Sequence, residues 1–406
     1  MNHSNTNQLA EHFFRHNYAK IVAVLVRYFG LDQVEIAEDI VQDTLVEAME
    51  KWSLGNIPQN PGGWLMDVAK KKTINRLKRD QLFQSRVIPN LSQASFSPEV
   101  ETDSTLRMIF ACCHPSLPDE SQVALALKTL CGLSITEIAH ALLTNEATIN
   151  KRLYRAKQKF RSGSIPFDIP TDGELPNRLD NVFTTLYLLF NEGYYSLHAE
   201  KMIRIDLCFE AIRLLKEVVV AFPSSSKAKA LLALMLLNIA RFESRIDSNR
   251  TLVVLAEQNR AAWDQSLVAE GIDYLYQSME ENQLSQYHLQ AGIVAEHCLA
   301  KDFRSTNWAS IYRQYTLLEM LDDSMTLQLN KAIARFYANE KEEALAGLLS
   351  LKSNPFMNEN ALYYITLAVF CSELGQKEQA AHFFETALKY SKSDTEKELI
   401  RKKMSG

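Results

Sequence analysis

Apolar residues recur at intervals of three and four along nearly the whole chain, the spacing of helices that bury one face, and this periodicity predicts an all-α protein. The first helical pattern runs from Leu9 to Phe29 and stops at Gly30. The next, from Val34 to Trp52, sets Val41, Thr44, Leu45, Ala48 and Trp52 along one side. After a Gly- and Pro-rich loop, Trp64, Leu65, Val68, Ile74 and Leu77 form another stripe. Three short helices are predicted between Pro118 and Arg161. In the second of these, Ser134 and Glu137 have capping-box spacing, and Ile135, Ile138, Ala139 and Leu142 share a face. Asn145 is the expected N-cap of the third, whose buried side is Ile149, Leu153, Ala156 and Phe160. Long helical patterns with short breaks then continue to the end of the chain.

The polar sides of these helices differ in charge. The helix before Trp52 presents Glu38, Asp39, Gln42, Asp43, Glu47 and Glu50, a pattern shared by docking faces and by ordinary solvated surfaces. The Trp64 helix carries Lys70, Lys71, Lys72, Arg76, Lys78 and Arg79, which suits phosphate tracking with a ring available for base stacking. Trp64 equally suits a core position. The last helix of the Pro118–Arg161 segment shows Asn150, Lys151, Arg152, Arg155, Lys157, Lys159 and Arg161, with no acidic residue after Glu146. A capped helix followed by a basic one predicts a helix-turn-helix whose second helix enters a major groove, although a helical hairpin with a solvated basic face has the same charge pattern.

Net charge is −5, so any nucleic-acid surface is local. The six cysteines are scattered apart from Cys112 and Cys113, and the N-terminus lacks an apolar secretory core, which predicts a reduced, cytoplasmic protein. The most apolar stretch, Ala230 to Ala240, is far short of the ~20 residues that cross a bilayer, so no membrane association is expected. Cys112, Cys113 and His114 are neighbours without a distant partner, and packing is expected there rather than metal. The chain has no P-loop, GxSxG, HExxH or glycine-rich dinucleotide turn, so neither catalytic residues nor cofactors are expected.

Taken in order, IAEDIVQDTLVEAMEKW, NPGGWLMDVAKKKTINRLKRD and LSITEIAHALLTNEATINKRLYRAKQKFR resemble regions two and four of extracytoplasmic-function sigma factors of the sigma-70 family, over residues 10 to 161. The resemblance implies a sigma factor that binds core RNA polymerase and directs promoter recognition and transcription initiation. It implies that Asp39, Gln42 and Asp43 face the clamp helices of the largest polymerase subunit. Trp64, Lys71, Lys72, Asn75 and Arg76 would face the melted minus-ten strand. Asn145, Thr148, Asn150, Lys151, Arg152 and Arg155 would face the minus-thirty-five duplex, with the flap as a further contact. The chain departs from the family pattern in having Lys70 and Lys71 in place of Arg-Asn and Asn75 in place of Asp. It also has Leu143 at the usual turn glycine, which requires a right-handed turn residue or strain there.

The expected organisation is region two at 1–85, a linker at 86–106, region four at 107–162, a second linker at 163–176 and a helical domain at 177–406. Within the last, Ala332, Ala344 and Leu348 recur thirty-six residues on as Ala368, Ala380 and Phe384. With Leu367, Gly375 and Ala387 the pattern is similar to a tetratricopeptide repeat, a module that presents a concave surface to protein, so a protein partner is expected. FNEGY at 190–194 and AEQNRAAWDQSLVAEG at 256–271 resemble a group of these sigma factors with a long tetratricopeptide-like C-terminal extension, expected to modulate activity. Asn191, Glu192, Arg260, Trp263 and Asp264 are candidates to line a site there, or to cap and bridge helices. The alternative reading is a helix-turn-helix transcriptional regulator with a helical sensor domain and no polymerase docking. The Trp-led basic helix argues against it, because a duplex-binding regulator needs no strand-opening element.

Overall fold

The computed structural model describes residues 17–53, 57–79, 98–142, 144–170, 173–195, 205–245, 253–280, 284–321, 324–391 and 394–404. Every regular element among them is helical, as the periodicity predicts, and the chain divides into two compact units, 1–222 and 223–406. The expected start of the first helix at Leu9, the turn at Leu143 and most of the first linker lie outside the described residues.

In the first unit, α1 (17–29) buries Tyr18, Ile21, Val22, Val24, Leu25 and Val26 on all sides, so it is a core helix. It ends at Gly30, whose φ of 96° favours glycine. Helix α2 (Val34–Ser53) and α3 (Pro61–Arg79) pack against each other, with the Trp52 and Trp64 rings 5.6 Å apart. Asn60 caps α3 by accepting from the Gly63 amide at 2.9 Å, with Pro61 at the first helical position.

The first linker ends earlier than expected. Helix α4 (Pro98–Cys112) occupies most of its second half, with Pro98 at its first position. Leu106, Met108, Ile109, Phe110 and Cys112 are buried in it. Pro98 marks a helix start, although Pro also occurs in linkers. Helices α5 (Asp119–Thr129), α6 (Ile135–Ala141) and α7 (Glu146–Arg161) follow, with α5 buried from Ser121 to Leu127 as the centre of this part. The turn after α5 passes close to α1: Gly132 has φ +66°, and a Cβ there would sit 3.0 Å from the Tyr18 ring.

The second linker is held down. Ile165 is buried, and Arg107 Nη1 donates to the Phe167 carbonyl at 3.4 Å. Helices α8 (Leu175–Tyr195) and α9 (Ile205–Ala221) then pack on each other and on α4. Arg178 of α8 is 2% exposed, donates to the Phe110 carbonyl at 2.7 Å and stands over the Phe110 ring. These two helices, expected to open the C-terminal domain, belong to the compact unit that contains the helix-turn-helix.

The second unit runs from α10 (Ser226–Ile239) through α11 (Gln265–Ser278), α12 (Gln286–Leu299), α13 (Trp308–Glu319), α14 (Met325–Tyr337), α15 (Lys341–Ser350), the single turn α16 (Pro355–Asn358), α17 (Ala361–Glu373) and α18 (Lys377–Tyr390) to α19 (Asp394–Met404). Gly271 allows α11 to approach α10, since a Cβ there would lie 2.8 Å from Leu237. The repeat is structural. The turn between α14 and α15 and the turn between α17 and α18 share their hydrogen bonds at a thirty-six-residue offset. Ala338, Asn339 and Glu340 amides donate to Ala334, Phe336 and Arg335, as Leu374, Gly375 and Gln376 do to Phe370, Ser372 and Cys371. Each turn has one left-handed residue, Asn339 at φ 76° and Gly375 at φ +77°. Phe336 stacks on Phe370 at 3.9 Å between the two pairs. Because Asn carries a Cβ penalty that Gly lacks, Asn339→Gly is expected to stabilise this unit by about 0.5–1 kcal/mol in thermal denaturation.

Candidate nucleic-acid interface

The start of α7 is built as the sequence predicts. Ser134 and Glu137 cap α6 reciprocally: the Ser134 amide donates to Glu137 Oε2 at 2.8 Å and the Glu137 amide to Ser134 Oγ at 3.2 Å. Asn145 Oδ1 accepts from the Thr148 amide at 2.8 Å and its hydroxyl at 3.0 Å, so both side chains take part in the cap. Thr136 donates to Glu146 at 2.7 Å and ties α6 to α7. Ile149, Leu153, Ala156 and Phe160 are buried beneath.

The polar side of α7 divides into two groups. Asn150, Lys151, Tyr154 and Arg155 point to solvent over its first turns. Tyr154, 62% exposed between Lys151 and Arg155, is an aromatic outside the apolar stripe. That position was its only sequence signal, and the prediction from charge alone passed over it. Of the other cations, Lys159 is exposed and three are engaged. Arg152 pairs with Glu120 at 3.0 Å, Lys157 with Glu38 at 2.7 Å and with Glu35 at 3.8 Å, and Arg161 with Glu35.

On α2, Asp39, Gln42 and Asp43 are exposed together on one side. Glu38, adjacent in sequence, is buried and turned toward α7. On α3, Lys71, Asn75 and Arg76 are exposed, whereas Lys72 is held to α2, donating to the Asp43 carbonyl at 2.8 Å and pairing with Glu47 at 3.1 Å. Hydrogen bonds from Lys51 and Lys72 hold the Glu47 carboxyl below its ordinary range. Trp64 is half-buried, with its ring on Trp52 and under the Lys51 ammonium at 5.5 Å. Packing and surface readings therefore both apply to Trp64.

The candidates further along bridge and cap helices. Arg260 donates to the His297 and Ala300 carbonyls at 2.7 and 3.0 Å and to Thr306 Oγ1 at 3.1 Å, tying the end of α12 to its neighbours. Trp263 is buried between the guanidinium groups of Arg260 and Arg241, each 5.3 Å from its ring. Asp264 caps α11 by accepting from the Ser266 hydroxyl at 2.6 Å and from the Leu267 and Ser266 amides, which hold its carboxyl below the usual range. Burial, with Arg241 and Arg260 nearby, pushes His297 down to about 3 and keeps it neutral. Asn191 is half-buried within α8, and the Glu192 side chain lies outside the described residues. Cys112 and Cys113 are buried, and their burial raises both thiols. No group of ligating side chains able to hold a metal occurs among the described residues. No helix among them is long and apolar enough to cross a membrane.

An acidic helix face, a Trp-led basic helix and a capped helix-turn-helix in that order define a DNA-binding protein of the transcription-initiation class. Residues 13–82 match sigma-70 region 2, residues 107–160 match sigma-70 region 4, and residues 178–279 match a family of unknown function, DUF6596. The chain is 30% identical over 392 residues to an uncharacterised protein of Rhizobium meliloti, covering 94% of this chain and 91% of that one. It is 28% identical over 160 residues to RNA polymerase sigma factor YlaC of Bacillus subtilis, covering 37% of this chain and 89% of that one. No solved structure matches it. The chain belongs to the sigma-70 family: it is a sigma factor, not an enzyme, which binds RNA polymerase and recognises promoters.

Proposed function

We propose that this is a sigma factor of the extracytoplasmic-function type, working in the cytoplasm, with its contacts divided among three surfaces. Asp39, Gln42 and Asp43 dock on the clamp helices of the largest polymerase subunit. Trp64, Lys71, Asn75 and Arg76 hold the melted minus-ten strand, and Lys72 supports them from its place beside Glu47. Asn150, Lys151 and Arg155 read the minus-thirty-five duplex, with Arg152 at its edge, while Asn145 and Thr148 set the start of the reading helix near a phosphate. The second unit is a tetratricopeptide-like module that binds a protein and modulates initiation. One observation supports the reading: Asp39, Gln42, Asp43 and the outward-facing basic residues of α3 and α7 are exposed, while Val41, Ala48, Leu65, Ala69, Ile149 and Leu153 on the opposite sides are buried.

The test is reconstitution of the full chain with core polymerase and run-off transcription from promoter fragments selected by the complex. Co-elution with core and a defined start site are expected. Lys151→Ala is expected to cost the complex about 1–3 kcal/mol of promoter affinity if Lys151 contacts a base edge. A chain that binds duplex DNA by itself and never associates with core would overturn the proposal.

A further inference from the structure

The bonds that tie the end of α12 to its neighbours in the second unit leave donors over. Arg241, just after α10, and Arg260, ahead of α11, each stand 5.3 Å from the Trp263 ring, and Arg260 donates to the His297 carbonyl at 2.7 Å. Two guanidinium groups are thus held around one indole. The acceptors of Arg260 are two carbonyls and the Thr306 hydroxyl, none of them charged, and Arg241 Nε has no acceptor among the described residues. None of the ion pairs among those residues includes either group. The carboxylates nearest in sequence are committed elsewhere: Glu257 pairs with Lys402 at 3.6 Å, Asp264 caps α11, and Asp302, whose charge also acts on Arg260, accepts from the Ser305 amide at 2.8 Å.

Two further polar atoms lie in the same place. Trp263 is 3% exposed and His297 7% exposed, and neither Trp263 Nε1 nor His297 Nδ1 has a partner among the described residues. The His297 ring stands edge-on to Trp308 at 5.2 Å. Being neutral, it carries one N–H, which joins the donors in the tautomer protonated at Nδ1. Burial and then the Arg241 charge hold the Arg260 guanidinium below its ordinary range, so the two cations oppose each other. Unmet N–H groups beside unbalanced charge cost free energy that an anion among them recovers. The Nε–Nη edge of a guanidinium matches two oxygens of an oxyanion. Two positive charges balance a phosphate dianion, whereas a carboxylate leaves one charge over. We propose that Arg241, Arg260, Trp263 and His297 form a binding site for a phosphate dianion, either the free ion or a monoester of a small molecule. The bound group joins the end of α10, the turn before α11 and the end of α12, and gives the second unit a ligand of its own beside any protein partner.

The test is isothermal titration of the full-length chain, at constant ionic strength and about pH 8, where the phosphates are dianions. The probes are inorganic phosphate, glycerol 3-phosphate and acetate. Phosphate should bind at least about fivefold more tightly than acetate, and acetate binding as tightly as phosphate would rule out a dianion site. Arg241→Gln should weaken phosphate about tenfold, the effect of losing a charged hydrogen bond, whereas Lys301→Gln, an equal change of charge at an exposed position, should not. Equal phosphate binding by the two variants would overturn the site and assign the binding to the DNA-facing basic surfaces. Glycerol 3-phosphate binding more tightly than phosphate identifies an ester as the ligand, and the reverse order identifies the free ion; both orders uphold the site. If Arg241→Gln fails to melt cooperatively, Trp263→Phe replaces it, since it removes the indole N–H and keeps a ring. It should weaken phosphate several-fold, and unchanged affinity there counts against the site. The indole N–H resonance that Trp263→Phe removes should also move when phosphate is titrated into the parent. A resonance that stays in place while phosphate binds would show that the anion sits elsewhere.

Discussion

With Asp39 and Asp43 both replaced by lysine, the chain should keep its fold and lose core polymerase. Both side chains are exposed on α2, and the hydrogen bond that Lys72 makes at Asp43 goes to the main-chain carbonyl, which the substitution leaves in place. Exposed substitutions of this kind change stability by about 0.5 kcal/mol or less. At a charged interface the effect is far larger, since like charges brought face to face cost several kcal/mol. A weakening of core binding by about 100-fold or more is expected, read by co-elution and run-off transcription, with circular dichroism to confirm the fold. A folded double variant that initiates normally would show that polymerase docks elsewhere. Glu38 is not suited to this experiment: it is adjacent in sequence but buried against Thr129 and Lys157, so its loss disturbs the contact between regions.

That contrast marks how far the sequence could be read. Apolar periodicity located the buried stripe of α7 residue by residue, and the caps at Ser134 and Asn145 formed as their spacing requires. Local rules carry such features because donor and acceptor are three residues apart. Charge on a helix face was less informative. Glu38 and Asp39, or Lys151 and Lys157, look alike in sequence, and which of each pair is exposed depends on a partner 91 or 119 residues away. Lys72 is a similar case, being one of three consecutive lysines but the one whose position on α3 turns it toward Glu47. Conversely, Arg260, Trp263 and Asp264 carried site-like chemistry yet hold helix ends: Arg260 and Asp264 satisfy main-chain groups that helix termini leave open, and Trp263 packs against guanidinium groups. The thirty-six-residue repeat was legible from small and apolar residues, but the matching turn was not, since Asn339 stands where the second copy has Gly375.

The chain cut after Arg161 should fail to fold stably, and the chain cut after Phe222 should melt as a cooperative unit. A Gly163–Pro176 segment rich in turn residues reads as a tether, and a cut there would be expected to release two intact sigma domains. The structure gives the opposite expectation. Ile165 is buried and Phe167 receives a hydrogen bond from Arg107, so the segment is pinned at its apolar residues. Beyond it, Arg178 satisfies the Phe110 carbonyl, Phe222 meets the Phe110 ring edge-on at 5.9 Å, and α8 packs on α4 and α5. Removing α8 and α9 exposes the faces of α4 and α5 that they cover. Large apolar side chains are worth about 1.5–3 kcal/mol each when buried, and a domain's whole stability is about 5–15 kcal/mol. Loss of two or three such contacts, with an unsatisfied carbonyl at Phe110, removes most of that margin. Lost activity in the shorter fragment would then report unfolding and say nothing about regulation. The informative comparison is 1–222 against the full chain in the same transcription assay. A change in output in either direction assigns the second unit a modulating role and gives its sign, while equal output from a folded 1–222 would exclude one. Fragment 1–161 melting as cooperatively and at the same temperature as 1–222 would show that α8 and α9 do not support region 4.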